Sequence, residues 1–210
     1  MINFDNIKTY STDFPKAWSF LWSPEEASKI HQEHKDQIFF LNNEASEFIR
    51  NYFNSSKMVT GPSWKPFNER YFKTIQEFVV TESSEKEIKK WLYNKPIPFD
   101  KFVFIYGDRS GQEIVLTWKM VVKYWEGLFF ADDLIIFDET LNWGLFYFHE
   151  DRLYYGTDKI YDKEFEYEKT RELNELRQSF FNKDNLNFTR DEKRQAIKSF
   201  KTKYNLSELG

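Results

Sequence analysis

Between residues 102 and 156 short apolar runs alternate with turn formers so closely that few folds remain open. Phe102-Val-Phe-Ile-Tyr106 leads through Gly107-Asp-Arg-Ser-Gly111 into Glu113-Ile-Val-Leu-Thr-Trp118. Leu134-Ile-Ile-Phe-Asp138, Trp143-Gly-Leu-Phe-Tyr-Phe148 and Leu153-Tyr-Tyr-Gly156 follow. Runs rich in β-branched and aromatic residues and bounded by Gly, Asp and Asn read as strands. Between the second and third runs, Trp118, Val121, Val122 and Trp125 recur at helical spacing. A helix over 118 to 126 is therefore expected to lay this stripe on a sheet, with Lys119, Lys123 and Glu126 facing water. The order is β-β-α-β-β-β. Its mostly short connections demand mainly antiparallel neighbours, which makes the fold class α+β.

The flanks read as helices. Ser23-Pro24-Glu25-Glu26 is a helix start with a capping serine and proline in the first turn, and the helix is expected to reach about His34. Residues 44 to 53 give a second helix with Phe48, Ile49, Tyr52 and Phe53 on one side. Phe14, Trp18, Phe20, Leu21 and Trp22 are expected to dock the N-terminal segment. Gly61-Pro62-Ser63-Trp64-Lys65-Pro66 is a turn or linker. Tyr71, Phe72, Ile75, Phe78 and Val79 fit the spacing of an amphipathic helix. Ser84 with Glu87 forms a capping box that opens a helix carrying Ile88, Trp91 and Leu92. From about 162 helix formers take over. Phe165, Leu173, Leu176 and Phe180 share one face, Asn182-Lys-Asp-Asn185 turns the chain, and Thr189 with Glu192 caps a last helix. We expect a single domain over 1–210, with sub-units at 1–60 (N-terminal helices), 61–160 (core) and 161–210 (C-terminal helical hairpin).

Composition narrows the chemistry. Aromatic residues make up 20% of the chain, half of its 40% hydrophobic content, so some rings are expected on the surface as well as in the core. The net charge of −4 gives no global electrostatic case for nucleic acid. Cysteine is absent, which removes disulfides, thiolate metal sites and cysteine nucleophiles and suits the cytoplasm. The N-terminus shows no basic region followed by an apolar run, and no apolar run approaches the ~20 residues of a membrane span.

Three groups of residues could carry chemistry. Asp132, Asp133, Asp138, Glu139, Glu150 and Asp151 all fall in connections of the expected sheet. They suit an acidic face for a basic partner, a hard-cation site, a general acid/base pair, or simply solvated turns. His149, followed by Glu150 and Asp151, is an alternative ligand or catalytic site in which a carboxylate orients the imidazole, although no nucleophile motif accompanies it. The segment 190 to 203 carries six basic residues against two acidic ones, a locally basic helix able to meet phosphates. His31 and His34 lie three apart on the first expected helix, but a metal needs further ligands and no signature supplies them. No metal or cofactor is expected.

Thr117-Trp-Lys…Tyr124-Trp-Glu-Gly-Leu-Phe-Phe-Ala-Asp-Asp133, Trp143-Gly-Leu-Phe-Tyr-Phe-His-Glu-Asp151 and Tyr155-Gly156 resemble small uncharacterised bacterial families, some of which are immunity proteins of polymorphic toxins. The resemblance covers about 117–156. It implies a cytoplasmic, non-enzymatic protein that binds and blocks a cognate toxin, such as a basic nuclease, and it transfers no catalytic residue.

Overall fold

The structure is a computed structural model that describes residues 1–15, 23–107, 112–129, 132–181, 189–204 and 206. It divides into two compact units, Met1–Ile160 and Tyr161–Gly210. The first is α+β. Its strands are β1 (Ile38–Phe40), β2 (Phe72–Val79), β3 (Phe102–Tyr106), β4 (Ile114–Thr117), β5 (Leu134–Phe137), β6 (Gly144–Phe148) and β7 (Arg152–Lys159). They form one sheet in the order β1-β4-β3-β5-β6-β7-β2, and every pairing is antiparallel. The β-β-α-β-β-β core is thus present, extended by one strand at each margin.

Directly opposed residues of an antiparallel ladder share a face, so register assigns both sides of the sheet. One side carries Val103, Ile105, Leu116, Ile136, Leu145, Tyr147, Leu153 and Tyr155. Helices α1 (Pro24–Lys29), α4 (Glu85–Tyr93), α5 (Trp118–Lys123) and α6 (Trp125–Leu128) cover it with Ala27, Ile88, Leu92, Trp118, Val121, Trp125 and Leu128. The other side carries Phe104, Ile135, Phe137 and Phe146. It is covered by Phe4, whose ring lies 5.2 Å from Phe104, and by Phe53 of α3 (Asn43–Ser56), 4.7 Å from Phe137. Both faces are therefore interior, which explains why the strands read as continuous apolar runs rather than alternating ones.

Several expectations need correction. Residues 72 to 79 are a strand and not a helix: β2 pairs with β7 from Phe72↔Lys159 to Val79↔Arg152. The apolar spacing was compatible with either period, and the decisive partner, β7, lies far along the sequence. For the same reason β7 runs past Gly156 to Lys159. The first helix stops at Lys29 because Ile30 is extended, at φ −68 and ψ 124, and α2 (Gln32–Lys35) follows as a separate turn. The helix after β4 breaks at Tyr124 and ends at Leu128. Strand β1 was not expected. The capping boxes at Ser23–Glu26, Ser84–Glu87 and Thr189–Glu192 are all formed. Phe14 packs on Phe40 at 5.3 Å. Trp18, Phe20, Leu21, Trp22, the 108–111 part of the first hairpin loop and Asn182–Asn185 lie outside the described residues.

The second unit pairs α7 (Lys163–Phe181) with α8 (Arg190–Lys203). The end of α8 returns to the first half of α7. Tyr204 donates its hydroxyl to Glu172 at 2.8 Å and packs on Phe165 at 5.3 Å, and Lys203 also pairs with Glu172.

Gly144 and Gly156 are paired across β6 and β7. A Cβ on Gly156 would lie 2.1 Å from Cδ2 of buried Phe72, and one on Gly144 would lie 2.7 Å from Sδ of buried Met58. This glycine seam is the floor on which residues 58 to 72 rest. Gly156→Ala is expected to destabilise the chain by about 1–3 kcal/mol through overpacking. In a double-mutant cycle measured by urea unfolding, Phe72→Ala should absorb much of that cost, because the two sites share one space. Simple additivity of the two substitutions would show that the contact is not made.

Candidate functional site

Strand β5 is entered at Asp133 and left at Asp138, so the acids named from the sequence separate to the two ends of the sheet. The pairing Leu134↔Tyr147 sets Asp132 and Asp133 beside the β6–β7 turn that carries His149, Glu150 and Asp151. Asp138 lies about 17 Å away along the strand, with Glu139 beyond it.

At the first end Asp133 is the organising group. Its Oδ1 accepts the backbone N–H of His149 at 2.9 Å and lies 2.7 Å from Nδ1 of the same ring. Its Oδ2 accepts the hydroxyl of Ser63 at 2.5 Å. Burial alone would raise its pKa, but the bonds from Ser63 and His149 outweigh burial and hold the carboxyl below the usual aspartate range. The carboxylate that meets His149 is therefore Asp133, sixteen positions back, and not its neighbour Glu150. Because Ser63 donates to Asp133 and not to the imidazole, the three do not form a nucleophile–base relay. The His149 side chain is 54% exposed, stacked edge-on to Phe148 at 4.6 Å.

Asp151 closes the turn with φ +58, and its Oδ1 accepts the Tyr147 hydroxyl at 3.0 Å. Burial and this carboxylate push the Tyr147 hydroxyl well above the ordinary tyrosine pKa. The Asp151 carbonyl accepts the N–H of Val80 at 2.8 Å, which draws the end of β2 to the same place. Glu150 is exposed and Asp132 half-buried.

Sequence reasoning passed over Trp64. It follows Ser63 in the loop that the glycine seam seats, and its side chain is 68% exposed. The bonds Ser63 to Asp133 and Lys65 N–H to the Pro62 carbonyl, at 2.8 Å, fix the loop on either side of it. A helix-breaking Gly-Pro stretch announces a turn, but nothing local shows that a carboxylate seventy residues on anchors it.

At the other end Asp138 is buried. It accepts from the Thr140 N–H at 2.9 Å, the Thr140 hydroxyl at 2.5 Å and the Trp143 indole N–H at 3.0 Å, so it shapes the β5–β6 turn. Glu139 pairs with Lys101. Beside it opens a cleft of about 520 Å³ lined by Phe4, Asp5, Lys8, Lys101, Phe102 and Glu139, with the Lys8 ammonium 4.0 Å from the Phe102 ring centre.

His31 stands at the N-cap of α2 and His34 on its single turn. His34 Nδ1 lies 2.8 Å from the Tyr124 hydroxyl, and burial followed by the Lys123 charge lowers its pKa. Among the described residues no group of three or more His, Asp or Glu could hold a metal ion. Arg190, Lys193, Arg194, Lys198 and Lys201 lie on α8, which buries none of its own residues. Sequence reasoning also missed Lys95. Its amine is buried 3.4 Å from the Trp91 ring centre, donates to Gln76 Oε1 at 2.7 Å, and is pushed by burial down to about 8. No helix among the described residues is long and apolar enough to cross a membrane. No family model gives a significant match to the chain, nor does any curated protein or solved structure.

The Asp133 carboxyl titrates below the unfolded value of about 4. Its contribution is therefore complete above that value and is lost as pH falls through the folded pKa. Asp133→Asn is expected to lose about 1.5–3 kcal/mol at pH 7, the worth of hydrogen bonds to a charged acceptor. Its urea midpoint should also fall less than that of the parent between pH 5 and pH 2. Parallel pH profiles for the two chains would contradict the assignment.

Proposed function

We propose that this chain is a non-enzymatic, protein-binding module of the immunity type, cytoplasmic, which neutralises a cognate basic toxin through the Asp133 end of its sheet. The observation that supports this reading is the exposed Trp64 in a loop that Ser63 bonds to the acidic turn at Asp133. Tryptophan is the side chain most enriched at the energetic centres of protein interfaces, and a preformed loop loses little entropy when it docks. The six acids differ in role. Asp133, Asp138 and Asp151 accept internal hydrogen bonds that shape turns. Glu139 is paired with Lys101. Glu150, which is exposed, supplies negative charge towards solvent, and such charge steers association with a cationic partner, whereas Asp132 is half-buried. The resemblance over 117–156 points to the same class of partner.

The test uses the protein encoded beside this chain's gene. Produced alone in a bacterial host it should arrest growth, and co-production of this chain should restore it. Trp64→Ala should weaken binding by about 30-fold or more, the loss of a hot-spot side chain, without lowering thermal stability. Glu150→Lys should act mainly by slowing association and flattening its salt dependence. A neighbouring protein that is harmless, or binding that neither substitution alters, would rule the proposal out.

A further inference from the structure

The two margins of the sheet are built differently. β1 is only three residues long, and the N-terminal segment lies along it, with Thr12 N–H bonded to the Phe40 carbonyl at 2.7 Å and Ser11 bridged to Leu41. β2, at the other margin, is eight residues long and, among the described residues, pairs with β7 alone. Lys73, Ile75, Gln76 and Glu77 along it are exposed, and Ile75 is 47% so. It contains no proline, and its pairing runs in one unbroken register from Thr74 to Val79. An edge of that length leaves a row of backbone donors and acceptors without a ladder partner, which monomers commonly shorten, bend or cover.

The sequence of this edge has a symmetry of its own. Phe72-Lys73-Thr74-Ile75-Gln76-Glu77-Phe78 reads the same from both ends in chemical type about Ile75. We infer that β2 pairs antiparallel with β2 of a second copy of this chain, across a two-fold axis through Ile75. In that register Ile75 meets its own copy, Thr74 meets Gln76, and Lys73 of each chain meets Glu77 of the other. Opposed residues of an antiparallel pair are side-chain neighbours, so both ion pairs form directly across the ladder. A shift of one or two residues either way sets Lys73 against Ile75, Gln76, Phe78 or Val79 and loses both pairs, so the charges select a single register. Glu77 is already held in place at the edge by Arg152. A two-fold interface of this kind is self-complementary and closes after two copies. The simpler alternative is that Lys73 and Glu77 only guard the edge against association, and the following experiment separates the two.

Sedimentation equilibrium of the full chain should show a monomer–dimer equilibrium in the micromolar range. Lys73→Glu sets Glu against Glu twice across the axis, and Glu77→Lys sets Lys against Lys, so each variant should dimerise about tenfold more weakly. An equimolar mixture of the two should recover dimerisation, because both cross-strand pairs are then opposite in charge. As Glu77→Lys also faces Arg152, Ile75→Cys gives an independent reading in a chain that has no other cysteine. Mild oxidation should link it to its own copy, whereas Val79→Cys, four residues from the axis, should not link. A monomer at the highest soluble concentration would overturn the inference. So would a dimer that ignores both charge variants, or one in which Ile75→Cys stays reduced.

Discussion

The arrangement depends on a small absence of matter: Gly144 opposite Gly156 in neighbouring strands. Two missing side chains leave a trough on one face of the sheet, and Met58, Phe67 and Phe72 fill it. Each of the three is buried, so the segment from 58 to 72 is held by interior contacts although it contains no helix. That seating has two consequences at once. It delivers the chain into β2 at the far margin of the sheet, and it carries Ser63 within reach of Asp133, leaving Trp64 facing solvent. The exposed tryptophan and the marginal strand thus share one structural cause.

The opposite face shows how aromatic content becomes architecture. Phe78, Trp91, Tyr155, Trp143 and Trp118 follow one another with centroids 5.0 to 6.4 Å apart, connecting β2 to α4, β7 and α5. Rings at such distances favour edge-on or offset contacts and bury much area with few rotatable bonds. Lys95 lies within this run, its ammonium over Trp91 and 4.6 Å from the Tyr155 ring centre. The ring faces and Gln76 offset part of the desolvation that lowers its pKa. A lysine is tolerated there because it ties the edge strand to the helix covering it.

Much of the core could be read from the sequence because its signals are local. Strands β3 to β7 are apolar runs between turn formers, and the helix at 85 to 93 announces itself with Ser84 and Glu87. β2 could not be read this way. Lys73, Ile75, Gln76 and Glu77 are all exposed and Thr74 is half-buried, so apolar and polar residues do not alternate between its faces and the aromatic spacing imitates a helix. β1 is too short to carry a period at all. At the candidate site the turn positions of the acids were legible, but their roles were not. Those roles come from contacts across sixteen positions for Asp133 with His149 and seventy for Asp133 with Ser63. Trp64 was hidden for a similar reason, since a Gly-Pro turn predicts exposure but not the bond from Ser63 that ties the loop to Asp133.

Residue-resolved amide hydrogen exchange over 58 to 79 tests the seating of this segment most directly. In the monomer, at a dilution below that of β2–β2 pairing, the structure requires alternate amides of β2 to be protected through the β7 ladder while those facing outward exchange faster. It also requires the amides of Asn68 and Tyr71, bonded to the carbonyls of Met58 and Asn68, to be slowed with them. Uniform protection of successive amides from 72 to 79 at that dilution would mean a helix, and fast exchange throughout would mean an undocked segment. Either result would contradict the glycine-seated strand on which the account of the fold and its surface rests.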